Sequence, residues 1–528
     1  MVFSNASIWY VTREYAGIAE AGGVKNVACA LAEGCARKGS SVLVFIPAYG
    51  CVSIQGAVSF GTEISIAGKF HSVSFREFAH NGVRIVLIES DIYREKSDVY
   101  VYTKAEAALI QGNPHMQGHF DSDLLNMLLQ FSVIQYSILS GLIPDVIHCQ
   151  DAHTAILPAL IRTNPVLNNH FISTKIVVTI HNAGAGYRQI IPGISRAQQV
   201  TQLTEEVLQM AFFNENVEPF LLSALYGNLT TVSPWYAREL TSASFNHFTE
   251  GLSGEFERRH ISITGITNGI DFNRYDPRDT SISHLPFSFD PSCGDLAGKY
   301  KCRDFFLNEL NKNNIPVGIE QFGSIDTKKT NVFFSYHGRI AWQKGITDFV
   351  KSAAIVLDSL PEARFLVLGQ GDPMLEILLI KMTEKYGGRF LFLRGYERSL
   401  ARLIVAVSDF LVLPSVFEPC GLEDFIGQIF GTIPVANAVG GLQKILHGKT
   451  GFLYTSGSKE EPEKTLASLL LSVASPLIVS GSIGCGTIPA YDEIIRYAAL
   501  RVKEQYNWDE IIETSYAPIY QIKNNSHA

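Results

Sequence analysis

The stretch ASIWYVTREYAGIAEAGGVKNVACALAEGCARKGSSVLVFIP, residues 6–47, decides the fold of the first half of this chain. Its β-prone residues 6–12 lead into a glycine-rich loop at 17–23, after which apolar residues recur at helical spacing. Gly39 follows as a helix stop, and the continuous apolar run 41–47 is typical of a strand buried on both faces. Strand, loop, helix and strand in this order form the repeating unit of a doubly wound parallel sheet.

The same alternation continues to the end of the chain. Helices are predicted at 124–140 and 152–162, and short apolar runs predict strands at 83–89, 145–148, 175–181 and 229–233. A polar, proline-containing stretch, roughly 272–330, is interpreted as a connection. Beyond it we predict a helical segment at 490–521, preceded by strands at 331–339, 364–369, 389–395, 409–415 and 432–437.

This pattern predicts an α/β protein with two facing, doubly wound (Rossmann-like) domains. A chain of 528 residues is too long for one hydrophobic core, which agrees with that division. The expected boundaries give an N-terminal domain at 1–260, a C-terminal domain at 261–495 and a helical segment at 496–528. Ligands of doubly wound sheets bind at the carboxyl ends of the strands, so we expect the functional residues just after strands, in a cleft between the domains.

Composition excludes several classes of function. Lys and Arg total 43 and Asp and Glu total 51, so a net charge of −8 gives no electrostatic footprint for nucleic acid. The eight cysteines show neither a C-x-x-C pair nor zinc-type spacing with histidine, which predicts free thiols in a reducing compartment. No secretory signal pattern and no run of about 18 apolar residues is present, so we expect a cytoplasmic protein without a membrane partner.

Two cations lie at the end of the predicted strand 331–339 and in the loop after it, in the segment GRIAWQKG (338–345). Arg339 offers a fork of donors and Lys344 a point charge, and together they suit the two phosphates of a diphosphate. Positioned cations of this kind also stabilise the negative charge that develops on a leaving phosphate. The alternative interpretation is that both are ordinary surface charges of a loop.

Two glycine pairs stand before predicted helices. Gly22 and Gly23 precede the first helix of the chain, and Gly440 and Gly441 follow the predicted strand 432–437. Backbone without side chains at a helix N-terminus suits the binding of phosphate. Without further information, a tight turn is an equally good interpretation of either pair.

Glu418 and His153 each have a structural alternative. In FEPCGL (417–422), Pro419 is a suitable first helical residue, which would make Glu418 a helix cap. A histidine such as His153 in HCQDAHT is more often a packed or capping residue than a catalytic one. Asp151, two residues earlier, is placed to cap or orient it.

Segments spread over nearly the whole chain resemble, in the same order, the family of bacterial glycogen synthases and plant starch synthases. The most specific of them are FEPCGL and ITNGID. The resemblance rests on EYAGIAEAGGVKNV (14–27), DVIHCQDAHTAILPAL (145–160), VVTIHN (177–182), LTTVSPWYAREL (229–240), GITNGIDFNRYDP (265–277), DLAGK (295–299), GRIAWQKG (338–345), LGQGDP (368–373), SVFEPCGL (415–422), GTIPVANAVGGL (431–442) and TGFLY (450–454).

The resemblance implies a fold of the GT-B type, with the active site between two facing domains and a C-terminal helix that crosses back to the N-terminal domain. It implies a retaining hexosyltransferase that moves glucose from ADP-glucose or UDP-glucose to the non-reducing end of an α-1,4-glucan. The nucleotide sugar and the α-glucan would be its partners, and no metal or other cofactor is expected.

The resemblance also assigns roles to individual residues. The residues implied in catalysis are His153, Arg339, Lys344 and Glu418. Those implied in donor binding are Glu20, Gly22, Gly23, Cys420, Gly421, Leu422, Gly440 and Gly441. Those implied on the acceptor side or in the cleft are Asp121, His181, Asn182 and Asn268, the last of which is suited to hold the interdomain connection instead.

Asp121 and Asp123 form the motif D-S-D, which binds manganese in another class of glycosyltransferases. Here the motif stands directly before a predicted helix, where aspartate commonly acts as a cap. The other features of that class are absent from the sequence. We therefore predict no metal site at this motif.

Several cleft positions depart from the family pattern. Glu20 replaces the lysine of the family's glycine loop, and either Lys25 or Arg13 could supply the missing charge, of which we favour Lys25. Two other functions stay open: a relative that binds nucleotide or glucan without turnover, and a transferase with another donor or acceptor. The further departures are Asn26, Ala152, Val416, Asn437 and Val439.

Overall fold

The computed structural model describes residues 5–326, 331–456, 461–479 and 491–521, which form two compact units. The first unit runs to Thr267 and takes in the chain again from Trp508, and the second unit is Asn268–Asn507. The boundaries expected from sequence, after residues 260 and 495, lie somewhat earlier in the chain. The second unit is thus one continuous segment, whereas the first is built from two.

The first unit contains a nine-stranded sheet with the order β12-β11-β7-β6-β1-β2-β5-β4-β3. Its strands, together with a small three-stranded sheet of order β8-β10-β9, are β1 Ser7–Val11, β2 Ser41–Pro47, β3 Ala57–Ile66, β4 Lys69–His80, β5 Val83–Glu89, β6 Val146–Gln150, β7 Lys175–Ile180, β8 Ile191–Pro192, β9 Phe212–Phe213, β10 Asn216–Val217, β11 Asn228–Thr231 and β12 Thr264–Gly265.

The helices of the first unit cover this sheet, as expected for strands that are apolar on both faces. Up to Thr267 they are α1 Val24–Arg37, α2 Asp91–Arg94, α3 Lys104–Ala107, α4 Ser122–Ser140, α5 Leu157–Thr163, α6 Pro165–His170, α7 Ile194–Thr201, α8 Glu205–Gln209, α9 Pro219–Tyr226, α10 Pro234–Leu240, α11 Asn246–Thr249 and α12 Leu252–Arg258, with 3₁₀ turns at Ala152–Thr154 and Ala243–Phe245.

The second unit is built on a seven-stranded sheet with the order β13-β16-β15-β14-β17-β18-β19. Only β13 runs antiparallel to its neighbour. The strands are β13 Glu320–Ile325, β14 Val332–His337, β15 Ala363–Gly369, β16 Arg389–Arg394, β17 Phe410–Leu413, β18 Ile433–Asn437 and β19 Phe452–Tyr454.

Helices lie on both faces of this second sheet, and its buried residues form one cluster on each face. The helices are α13 Phe272–Tyr275, α14 Thr280–Ser283, α15 Ala297–Asn311, α16 Ile346–Ser359, α17 Pro373–Lys385, α18 Arg398–Val407, α19 Glu423–Ile429, α20 Pro462–Val479 and α21 Asp492–Gln505, with 3₁₀ turns at Pro291–Cys293, Trp342–Lys344 and Gly440–Lys444.

The C-terminal segment completes the core of the first unit. It consists of α22 Trp508–Ile511, a π-helical turn Ile512–Tyr516 and α23 Ala517–Tyr520. The Tyr520 hydroxyl lies 2.7 Å from Nδ1 of His148 on β6 and 3.1 Å from the hydroxyl of Tyr10 on β1. All three side chains are buried, so the last helical turn is packed against the central strands of the sheet.

The predicted fold class is confirmed, two local expectations are corrected, and one hairpin was missed. The predicted helix 152–162 is a 3₁₀ turn followed by α5, in which Pro158 occupies the first turn. The stretch 272–330, interpreted as a connection, contains the long helix α15 and strand β13. The hairpin β3–β4 was not predicted.

Candidate functional site

Arg339 and Lys344 follow β14 at the carboxyl edge of the second sheet. Tyr336 donates a hydrogen bond to the carbonyl of Arg339 (2.8 Å), while the Arg339 side chain is exposed and has no hydrogen bond or ion pair with any described residue. Gly345 ends the turn with a φ of 69°, and a Cβ there would lie 1.9 Å from the carbonyl oxygen of Pro414. This glycine therefore fixes the approach of the cationic loop to the strand end that precedes Glu418.

Lys344 and Glu418 form an ion pair although 74 residues separate them. Nζ of Lys344 lies 2.6 Å from Oε2 of Glu418, which also accepts a hydrogen bond from the hydroxyl of Ser415 (2.9 Å). The exposed fractions of the two charged side chains are 25% and 15%. The other oxygen, Oε1, has no partner among the described residues, so this carboxylate can still accept a hydrogen bond from a ligand.

The interpretation of Glu418 as a helix cap is wrong. Pro419 is not the first helical residue, because helix α19 begins at Glu423 and its N-cap is Leu422. The carboxylate of Glu418 is instead held by Lys344 and lies in the turn that precedes the helix. The sequence favoured a cap because proline commonly occupies the first helical position.

The second glycine pair packs against the turn that contains Glu418. Gly440 and Gly441 begin a five-residue 3₁₀ turn, a shorter element than the helix expected there. The backbone N–H of Gly441 donates to the carbonyl of Glu418 (2.9 Å), and a Cβ on Gly441 would lie 1.9 Å from the carbonyl oxygen of Cys420. Only glycine therefore allows the two loops to approach this closely.

Sequence reasoning missed a buried lysine that connects the two loops around Glu418 and Gly441. Nζ of Lys444 donates to the carbonyls of Cys420 and Gly421, both at 2.7 Å, and lies 2.9 Å from Oδ1 of Asp424. Both charged side chains are fully buried, and burial raises the pKa of the Asp424 carboxyl to about 6 despite the nearby ammonium. The sequence signal that could have identified Lys444 is its position three residues after the glycine pair.

Cys420 and Asn268 are buried in the second unit. Burial raises the pKa of the Cys420 thiol to about 11, although the backbone of Asn268 lowers it by a hydrogen bond. The amide oxygen of Asn268 has no hydrogen-bond partner in the described part of the chain. These surroundings make Cys420 an inert thiol, and its backbone carbonyl accepts the hydrogen bond from Lys444.

In the first unit, the glycine loop before α1 is held by a residue that the sequence analysis did not single out. Oε2 of Glu14 accepts hydrogen bonds from the backbone N–H groups of Gly22 (2.5 Å) and Ala21 (3.3 Å). Oε1 accepts one from the hydroxyl of Tyr100 (3.1 Å). Burial raises the pKa of Glu14, and these hydrogen bonds offset part of that rise. A carboxylate thus already occupies amide groups that were expected to face phosphate.

Glu20 and Lys25 lie side by side on the same loop. Oε2 of Glu20 lies 3.1 Å from Nζ of Lys25, and its Oε1 accepts a hydrogen bond from the backbone N–H of Gly17 (2.8 Å). Arg13, the other cation considered, is buried and donates to Tyr49 and to Asn126. Lys25 is thus the partly exposed cation beside Glu20, whereas the side chain of Arg13 is hydrogen-bonded in the interior of the first unit.

His153 is buried in the 3₁₀ turn after β6. Its ring centroid lies 5.0 Å from that of Tyr100, the residue that donates to Glu14. Burial lowers the pKa of His153 well below its usual range, and the charge of Arg13 lowers it further, so the imidazole is neutral at pH 7. Tyr100 therefore links the two segments, around His153 and around Gly22, that the sequence analysis identified separately.

His181 and Asn182 follow β7, the strand next to β6. Nε2 of His181 lies 2.8 Å from the amide oxygen of Gln150, and burial lowers the pKa of His181 to about 3. Asn182 accepts a hydrogen bond from the backbone N–H of Gly184 (2.8 Å). Both residues are thus placed at the same sheet edge as His153, as expected for residues that follow neighbouring parallel strands.

The two carboxylates of the D-S-D motif are separately neutralised. Oδ2 of Asp121 lies 2.8 Å from Nζ of Lys96, and Oδ2 of Asp123 lies 2.8 Å from Nε of Arg196. Asp121 is the N-cap residue of α4, but its side chain makes no cap hydrogen bond, so the capping role expected of it is wrong. Over the described ranges, no group of three or more His, Cys, Asp or Glu side chains is arranged to hold a metal ion.

The structure also bears on the expectations for the cysteines and for membrane-spanning helices. The seven cysteines within the described residues are free thiols, and Cys485 lies outside those residues. None of the described helices is both long enough and apolar enough to cross a membrane.

Two family models match the chain, one in each unit. Residues 7–256 match the starch synthase catalytic domain, and residues 332–472 match the glycosyl transferases group 1. Curated relatives include the glycogen synthase of Photobacterium profundum, 26% identical over 97% of this chain and 94% of the relative. The glycogen synthase of Aliivibrio fischeri is also 26% identical, over the full length of both chains.

Solved structures show the same fold. The catalytic domain of starch synthase IV from Arabidopsis thaliana, solved with ADP and acarbose bound, superposes with a TM-score of 0.77 at 22% identity and covers 98% of this chain and 99% of its own. A sucrose-phosphate synthase from Thermosynechococcus elongatus gives a TM-score of 0.55 at 16% identity, covering 98% of this chain and 100% of its own.

Proposed function

Since this chain belongs to the family of glycogen and starch synthases and is a glycosyltransferase of that type, we propose that it transfers glucose from ADP-glucose to the non-reducing end of an α-1,4-glucan with retention. ADP is favoured over UDP because the similar starch synthase IV was solved with ADP bound. The proposed setting is the cytoplasm, which suits the free thiols among the described cysteines.

The observation that carries the proposal is the cationic loop after β14. The Arg339 guanidinium is exposed and uncommitted among the described residues, and Lys344 is held 2.6 Å from Glu418. In the proposed reaction Arg339 binds the diphosphate as a fork, and Lys344 stabilises the charge that develops as the nucleoside diphosphate leaves. No metal or other cofactor is required in this scheme, because side chains neutralise the phosphates.

Glu418 and His153 have complementary roles in the proposal. Glu418 orients the ammonium of Lys344 through Oε2, and Oε1 accepts a hydrogen bond from a hydroxyl of the donor sugar. His153 is neutral at pH 7 because of its burial, so it contacts the donor sugar as a hydrogen-bonding group without adding positive charge.

One observation favours a second candidate, a relative that binds nucleotide or glucan without turnover. Where the family has a lysine, Glu20 pairs with Lys25, and the amides of Ala21 and Gly22 are held by Glu14. Under the leading proposal, Lys25 supplies the missing charge. Under the second candidate, this loop no longer serves the donor.

The deciding experiment is an assay of the purified chain with labelled ADP-glucose or UDP-glucose, with and without glycogen. We expect glycogen-dependent incorporation from ADP-glucose, and a loss of about 10²–10³-fold in kcat for Arg339→Ala. The matched control is Arg398→Ala, since Arg398 is an exposed arginine at the start of α18 in the same unit. Binding of nucleotide without any incorporation would instead favour the second candidate.

A further inference from the structure

Asp151 has a backbone conformation that residues other than glycine rarely adopt. It directly follows β6, with φ of 64° and ψ of −179°, and its side chain is buried. Such a residue persists only where the surrounding structure holds it in place, and such positions cluster at functional sites. Asp151 lies two residues before His153.

The carboxylate of Asp151 shows what holds this conformation. Oδ1 accepts a hydrogen bond from the backbone N–H of His181 (3.3 Å), and the backbone N–H groups of Asn182 and Ala152 face the carboxylate and stabilise its charged form. The backbone N–H of Asp151 in turn donates to the carbonyl of Thr179 on β7 (2.9 Å). One side chain thus connects the loop after β6 to the loop after β7.

We propose that Asp151 is a positioning residue for the proposed glucosyl transfer. Through the hydrogen bonds to His181 and Thr179, and through the backbone N–H groups of Asn182 and Ala152 that face its carboxylate, Asp151 fixes the turn that carries His153 and the loop that carries His181 and Asn182. Asp151 was expected to act on the side chain of His153. In the structure it acts instead on the backbone of two loops. Only the predicted effect of Asp151 on the rate of glucosyl transfer rests on the proposed function, whereas its effect on the two loops does not.

The ionised form of Asp151 is the form that these backbone N–H groups stabilise. Burial raises the pKa of this carboxyl to about 7, and the backbone hydrogen bonds offset part of that rise. The titratable groups that face it are Glu14, Tyr100 and Tyr236. As the pH falls through about 7, protonation removes acceptor capacity, so kcat should decline about tenfold per pH unit below that value.

The test compares Asp151→Asn and Asp151→Gly with wild type, and uses Asp145→Asn as the control. Asp145 lies at the opposite end of β6 and also accepts a backbone hydrogen bond, from Ser7 (2.8 Å). Glycine suits the backbone conformation of position 151, so Asp151→Gly removes the carboxylate without forcing the chain out of its fold. The measurements are kcat and the donor KM against pH, and amide hydrogen exchange of residues 177–185.

Both Asp151 variants should lose about a hundredfold in kcat, the scale for a misplaced catalytic group, with the donor KM unchanged and the acid limb of the pH profile removed. Exchange of residues 181–182 should accelerate in Asp151→Gly, and Asp145→Asn should match wild type. A wild-type kcat with the acid limb intact in Asp151→Gly would overturn the inference. If wild type itself transfers no glucose, the proposed function fails, and unchanged exchange at 181–182 in Asp151→Gly would then overturn this inference separately.

Discussion

The ion pair between Lys344 and Glu418 allows the electrostatic and structural roles of one lysine to be separated. An exposed pair contributes about 0–1 kcal/mol to stability, and breaking a buried pair by removing one partner costs about 3–5 kcal/mol. The two side chains are 25% and 15% exposed, so Lys344→Ala should lower the free energy of unfolding by an intermediate amount, about 1–2 kcal/mol. The loss stays modest because the Ser415 hydroxyl still donates to Glu418.

The effect on catalysis should be larger than the effect on stability. Removing one positioned donor for the developing charge costs about 2.7–4 kcal/mol, which is about 10²–10³ in kcat. The double variant Lys344→Ala/Glu418→Gln should regain most of the lost stability, since no unpaired carboxylate remains, but none of the lost activity. Urea unfolding and labelled glucose transfer from ADP-glucose to glycogen measure the two quantities.

Lys381→Ala is the matched control, because Lys381 is an exposed lysine on α17 of the same unit. It should leave both the free energy of unfolding and kcat at their wild-type values. A wild-type kcat in Lys344→Ala would refute the assignment of Lys344 to the leaving diphosphate. Equal stability of the single and double variants would show that the unpaired carboxylate of Glu418 is not the cause of the lost stability.

Three further predictions concern the glycine loops and metal. Lys25→Ala should weaken donor binding at least tenfold, about 1.4 kcal/mol, whereas Glu20→Lys improves it or leaves it unchanged, as titration calorimetry with ADP-glucose can measure. A silent Lys25→Ala together with activity gained only in Glu20→Lys would make the natural chain a non-catalytic binder. Gly441→Ala should cost about 1–3 kcal/mol in urea unfolding, because its Cβ would lie 1.9 Å from a carbonyl oxygen, while Gly387→Ala, with nothing within 4 Å, should not. Activity should survive EDTA, and Asp123→Asn should leave it largely intact; complete loss that manganese restores would identify a metal site.

The strands were predictable because a parallel sheet covered on both faces requires continuous apolar runs. The runs at 41–47 and 83–89 are strands over those same residues. The hairpin β3–β4 was missed because most residues of β3 are exposed or half-buried, so its sequence lacks such a run. Helix α15 was missed because its polar composition and the prolines around it are also typical of a connection.

The residues of the site could largely be predicted from the sequence, but the contacts between them could not. Arg339 and Lys344 could be selected because they are cations directly after a buried strand. The pairing of Lys344 with Glu418 could not be predicted, because it depends on how two loops meet across β14 and β17, which are neighbours in the sheet and distant in sequence. Glu14 was also missed, since its Oε2 accepts from backbone groups that carry no sequence signal and its Oε1 accepts from Tyr100, which is distant in sequence.

The route of the chain through the two units sets an order for folding during synthesis. The second unit is continuous, and its ends meet where the backbone N–H of Ile270 donates to the carbonyl of Tyr506 (2.8 Å). Domains generally fold as they emerge from the ribosome, N-terminal parts first. Here the earlier-made unit must wait, because Tyr520, a shared partner of Tyr10 and His148, is translated after the whole second unit. A chain truncated after residue 507 should therefore contain a folded second unit and a first unit that is still protease-sensitive.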